Sequence, residues 1–243
     1  MPKALSARIF VALIIVSGFL LVGKAVLNVQ SLSTPRFVAI VVLAVVAAKL
    51  KVKLPSLTGT MSVNLPFILM AAAILGTAEA VIVGFVSTFA QCLSWDRQKL
   101  NPVQLAFNCC TITLAVTVAR LTYVSPAIAP LIASPALRLA VAATGYFLVN
   151  TAIVAVVISL TEKANFVLVW KEMFQLAFVY LVASAGVAGL ALTAGQGIDW
   201  QVPLAVLPVM MGVFYSYRRY FGVIAQAQNA HVEAAGVAAG ARV

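Results

Sequence analysis

Eight apolar stretches, each closed by a short polar or basic joint, set the physical problem this chain has to solve. They cover residues 9–29, 37–50, 65–75, 77–93, 103–121, 137–160, 174–194 and 202–215. What lies between them is too little to clothe a water-soluble domain, since 63% of the 243 residues are hydrophobic and only 9% are charged. A surface facing water is rich in charge, whereas one facing lipid excludes it. In hydrocarbon every backbone N–H and C=O must be paired inside the protein, and helices achieve this segment by segment. The expectation is an all-α, polytopic integral membrane bundle of eight transmembrane segments, with seven as the nearest alternative. A span takes about 20 residues, so the second and third stretches are short. The third reads as a re-entrant segment or a kinked half-helix.

The net charge of +10 invites a nucleic-acid reading, but the charges are scattered over the joints and nothing resembles a recognition module. An eight-span path with its N-terminus inside puts twelve of the sixteen basic residues on the cytoplasmic side: Lys3, Arg8, Lys49, Lys51, Lys53, Arg97, Lys99, Lys163, Lys171, Arg218, Arg219 and Arg242. Lys24, Arg36, Arg120 and Arg138 fall near the opposite face. A bias of Lys and Arg toward one side orients membrane proteins, so both termini are expected in the cytoplasm and the chain in the inner (cytoplasmic) membrane. Lys24 directly follows the first apolar run, and no small-x-small cleavage site is convincing, which favours a retained helix over a signal peptide. Cys92, Cys109 and Cys110 lie in or beside apolar runs without a C-x-x-C pattern, and read as small packing residues.

Residues 1–222 carry no Ser/Gly linker or charge block and read as one membrane domain. Residues 223–243 read as a short cytoplasmic tail, polar and alanine-rich. Pro126, Pro130 and Pro135 mark an irregular outer joint between the fifth and sixth stretches, and Trp170, Lys171 and Glu172 a short amphipathic cytoplasmic segment before the seventh. Trp95 and Trp200 are candidate interfacial anchors. The run Ser184-Ala185-Gly186-Val187-Ala188-Gly189 offers small-x-x-x-small pairs for close helix packing.

Polar residues at membrane depth are the candidates for function. Glu79 opens the fourth stretch, either as an interfacial carboxylate favoured by the helix dipole or as a proton or cation site. Asn108 and Asn150 are the deepest amides; each needs a neighbouring helix or a ligand pocket to satisfy it. Tyr146 accompanies Asn150 on the sixth stretch. The segment from Pro55 to Pro66 gathers Thr58, Thr60, Ser62 and Asn64 around Gly59. A loop that dips into the domain and lines a cavity accounts for it, and so does a plain solvated loop. Catalysis has little to build on. The single histidine, His231, is in the tail, and no metalloprotease, nucleophile-elbow, Walker or paired-carboxylate pattern occurs. No enzyme activity, metal or cofactor is expected.

The series Thr58-Gly59-Thr60-x-Ser62, Pro66, Gly76, Glu79, Gly84 and Phe107-Asn108, then Tyr146 to Thr151 and Val169-Trp170-Lys171-Glu172, resembles a bacterial signalling module. That module is the N-terminal multi-helix membrane domain found ahead of HD-GYP phosphodiesterases and GGDEF diguanylate cyclases. The likeness covers roughly residues 37–220, and His231-Val232-Glu233 resembles the start of a connector helix. It implies a sensory membrane domain without the effector. Residues 62–91 also resemble the substrate-binding components of energy-coupling-factor transporters, although Lys49, Lys51 and Lys53 place the polar loop on the other side of the membrane. The expected role is a non-catalytic module that binds a small molecule and signals to the cytoplasm; the alternative is a small-molecule uptake component. Expected partners are the lipid bilayer, a small-molecule ligand, and a cytoplasmic effector or a second copy of the chain. Nucleic acid is not among them. Thr58, Thr60, Ser62, Asn64, Glu79, Asn108, Tyr146 and Asn150 are the candidate ligand-binding residues.

Overall fold

Three helix starts are set by a hydrogen-bonding residue followed by proline. Thr34 accepts from the Phe37 amide, Asn101 from Val103 and Gln104, and Ser134 from Leu137, and in each case Pro follows immediately. The side-chain oxygen satisfies an orphan N–H, while Pro, which has none, supplies a ready-made helical φ. The computed structural model describes residues 2–29, 34–53, 60–93, 101–194 and 203–216, with Arg219 and Gly222. Among them the helices are α1 (Pro2–Asn28), α2 (Pro35–Lys49), α3 (Leu65–Ile74), α4 (Thr77–Cys92), α5 (Pro102–Tyr123), α6 (Pro135–Glu162), α7 (Phe166–Ala194) and α8 (Pro203–Ser216). One helix coincides with each apolar stretch. A short antiparallel hairpin, β1 (Lys51–Lys53) and β2 (Thr60–Ser62), departs from the all-helical expectation, with Lys51 opposite Ser62 and Lys53 opposite Thr60. The Val63 amide extends it by donating to the Leu50 carbonyl at 3.3 Å.

Four helical segments are long and apolar enough to cross a membrane: Leu5–Asn28, Pro102–Tyr123, Pro135–Glu162 and Ala177–Ala194. Their large apolar side chains point outward in number. Leu13, Leu20 and Leu190 are 60%, 70% and 72% exposed. Apolar surface on that scale is unfavourable in water and neutral in lipid. The chain is a helical membrane bundle by this measure.

The most deeply buried element is the shortest helix. Every α3 residue from Leu65 to Ala73 is buried, and Phe67, Ile68, Leu69 and Met70 are at most 1% exposed. It packs against α2, α4, α5, α6 and α7. A helix that is apolar on all sides has no solvent face to present, so it occupies the centre. Its ten residues rise about 15 Å, half of the hydrocarbon core. By contrast α1 lies at the periphery, packing on α4, α5 and α6 with most of its surface outside the protein.

The segment around Trp170 lies in the first turns of a long helix. α7 starts at Phe166, where the Asn165 side chain accepts from the Val167 amide at 2.9 Å, and runs unbroken through Trp170, Lys171 and Glu172. Polarity ends the apolar run there but not the helix. Phe166, Trp170, Phe174 and Phe178, four residues apart, form a ring series with centroids 6.4, 5.9 and 5.1 Å apart, the first and last pairs stacked and the middle pair edge-to-face. Trp170 also donates to the Thr151 hydroxyl of α6 at 3.1 Å. Residues 124–134 form the irregular joint expected from its prolines, and Pro135 begins α6. Trp95, Trp200 and the tail 223–243 lie outside the described residues.

Candidate functional site

A buried half-helix cannot pair its terminal backbone groups with water, so other elements must supply the partners. At the amino end of α3 the phenol of Tyr180, midway along α7, accepts from the Leu65 amide at 3.2 Å and donates to the Ser62 carbonyl at 2.8 Å. The Ser62 hydroxyl donates to the Asn64 side-chain oxygen at 2.8 Å, and the Asn64 carbonyl takes the Phe67 and Ile68 amides. Ser62, Asn64 and Tyr180 are each 5% exposed. Tyr146, near the middle of α6 and also buried, is close enough to Tyr180 for the two phenols to interact electrostatically. Its hydroxyl has no hydrogen-bond partner among the described residues. This polar cluster sits at mid-height on the two long helices that flank it.

At the carboxyl end the partner is a charge. Arg120 reaches across from α5 and donates from one terminal nitrogen to the carbonyls of Ala72 and Ala73, at 3.0 and 3.2 Å. A cation there also complements the negative end of the helix dipole. Two residues later α4 begins, with Gly76 as its N-cap and Glu79 in its first turn. The Glu79 carboxylate folds back over Gly76 so closely that a Cβ at residue 76 would collide with it. Glu79 is 5% exposed and interacts electrostatically with Arg120. The break between α3 and α4 thus carries a cation on a helix carboxyl end and an anion on a helix amino end. The far end of α4 repeats the device, with the Lys49 ammonium donating to the Ala90 and Leu93 carbonyls at 2.6 and 3.0 Å.

Of the eight candidate residues, the structure gathers Ser62, Asn64 and Tyr146 at the amino end of α3 and puts Glu79 at the opposite end. Asn108 stands elsewhere, half-buried, with its amide 3.7 Å from the Cys92 sulfur. Asn150 is half-buried and has no hydrogen-bond partner among the described residues. Thr60 belongs to β2, and Thr58 lies outside the described residues. Tyr180 and Arg120 are absent from the sequence-derived set. Tyr180 is a lone phenol within an apolar run, a signal of the same kind that marked Tyr146. Arg120 was counted for orientation alone. Among the described residues, three buried hydroxyls, Thr111 and Thr113 on α5 and Ser184 on α7, have no partner, and no group of three or more potential metal ligands occurs.

No family model, curated protein or solved structure matches this chain.

Proposed function

We propose that this protein is a non-catalytic membrane module that binds a small molecule at the amino end of α3 and passes the change to its cytoplasmic face. The observation that carries this reading is the tethering of α3. A fully buried half-helix is held at both ends by side chains from other helices, Tyr180 of α7 and Arg120 of α5. Such an element has two discrete arrangements within reach, tethered and released, and a ligand that binds one better shifts the balance. A small molecule with one or two hydrogen-bonding groups on an apolar body is the class that fits, because it could replace the bonds among Ser62, Asn64, Tyr146 and Tyr180. The orientation that goes with this reading has eight membrane segments, both termini in the cytoplasm and a place in the inner membrane, on the basis of the basic residues described above.

Uptake of a small molecule is the second reading. The break between α3 and α4 supports it, since interrupted helices with polar ends are a recurrent feature of transporter sites. Native mass spectrometry of the chain released from nanodiscs tests the binding common to both. A retained small molecule in the parent protein, lost in the Asn64→Leu, Tyr180→Phe double variant, is the expected result; an empty parent protein would end the binding reading. Counterflow of the recovered compound in proteoliposomes then separates the two, with none expected for a sensor.

A further inference from the structure

We propose a second binding site, for one anionic phospholipid, where the α5–α6 joint meets the first turns of α6. The site has an apolar part and a charged part. A groove of about 510 Å³ is lined by Leu131 of the joint and by Ser134, Leu137, Val141 and Thr144 along one face of α6. Leu131 and Leu137 are 83% and 60% exposed, so none of the described residues covers this face. It belongs to a helix long and apolar enough to span the membrane, and lies near that helix's end, where acyl chains give way to headgroups.

Arg138 stands on the same helix, one turn after Ser134 and next in sequence to Leu137, both of which line the groove. Its guanidinium lies 5.4 Å from the centre of the Tyr123 ring. Its Nε is buried without a hydrogen-bond partner, and no carboxylate or carbonyl pairs with the rest of the group among the described residues. An arginine fixed on an aromatic face at a membrane boundary, with its donors free, is preorganised for a phosphate, which takes two parallel N–H···O bonds. Its place in the first turn of α6 adds the positive end of the helix dipole, which repels the guanidinium and attracts an anion. Charge complementarity and the apolar groove together select a lipid with a net negative headgroup. A neutral lipid leaves the arginine's charge uncompensated, and a free anion leaves the groove empty.

Native mass spectrometry of the full chain, titrated with dioleoyl-phosphatidylglycerol and dioleoyl-phosphatidylcholine, tests this, because the two share acyl chains and differ in net charge. Retention of the phosphatidylglycerol should exceed that of the phosphatidylcholine by about fivefold, because both offer Arg138 a phosphate but the choline ammonium of the second offsets that charge. Arg138→Gln should remove the preference, Arg138→Lys should keep part of it, and Arg8→Gln, on α1, should leave it intact. Val141→Trp, which fills the groove, should lower retention of both lipids. Equal retention by the parent protein, or equal loss in the Arg8 variant, would overturn the proposal. So would displacement by glycerol phosphate, which would mark a soluble-anion site, or a dimer that depends on Arg138, which would mark a second copy as the occupant.

Discussion

Tyr180 and Tyr146 are both buried phenols, yet they differ in what their loss should do. The Tyr180 hydroxyl satisfies the Leu65 amide and the Ser62 carbonyl. Tyr180→Phe leaves a buried N–H unpaired, which costs about 1–3 kcal/mol. Tyr146→Phe removes a hydroxyl without a partner among the described residues and should cost less than about 0.5 kcal/mol. Equilibrium unfolding in mixed micelles compares them, and equal destabilisation would contradict the assigned bonds. Arg120 and Glu79 form the second residue-scale case. Arg120→Met removes the donors that cap Ala72 and Ala73 together with a cation that Glu79 interacts with, at an expected cost of about 1–3 kcal/mol. Adding Glu79→Gln should restore at least about 1 kcal/mol of it, a non-additivity expected of groups in electrostatic contact. Strict additivity would place the two residues in separate environments. Neither role was legible in the sequence. Arg120 meets its carbonyl partners more than forty residues away along the chain, and no local pattern announces a contact of that separation.

Elements were far more legible than contacts, because their limits are local chemistry. The Thr-Pro, Asn-Pro and Ser-Pro pairs at residues 34, 101 and 134 are both the sequence signal and the physical cause of the starts of α2, α5 and α6. At α7 the helix begins at Phe166, ahead of the apolar run that starts at residue 174, for an equally local reason. Apolar runs locate the part of a helix that meets lipid, whereas the helix itself continues wherever backbone and side-chain pairs sustain it. Trp170, Lys171 and Glu172 interrupt the first and not the second. The small-residue run on α7 was legible as a packing signal: Ser184 and Ala188 are fully buried, and of its two glycines Gly189 meets Ala136 of α6 while Gly186 has nothing within reach of an added Cβ. Among the described glycines Gly18 shows the closest approach to another helix, since a Cβ there would run into the backbone and side chain of Cys110 on α5. Gly18→Ala should therefore push α1 from α5 and destabilise the fold by about 1–3 kcal/mol. Gly186→Ala should be neutral or slightly stabilising, because alanine is the better helix former. Thermal unfolding of the two variants in one detergent checks the contrast, and a Gly18 variant as stable as its parent would show that α1 is loosely held.

For the whole molecule the governing fact is an inverted distribution of apolar surface. Phe67, Ile68 and Leu69 are enclosed at the centre while Leu13, Leu20 and Leu190 stand outside, so the exterior is as apolar as the core and the basic joints alone carry orientation. The path we propose puts Lys49 and Lys51 inside and residues 124–134, between α5 and α6, outside. Ala127 is exposed in that joint, which makes it a reporter for the outer face. A cysteine at Ala127, in a chain whose native cysteines are replaced by serine at Cys92 and alanine at Cys109 and Cys110, should react with a membrane-impermeant maleimide in intact cells. A cysteine at Val243 should react only after the cells are permeabilised. Cys109 and Cys110 are buried, so alanine, with no hydroxyl to satisfy there, is the safer exchange. Reaction of the Val243 thiol from outside would place the C-terminus on the far side and require an odd number of crossings. Protection of Ala127 in intact cells, with reaction after permeabilisation, would invert the path and leave Lys24, Arg36, Arg120 and Arg138 on the cytoplasmic side against the weight of the other twelve basic residues.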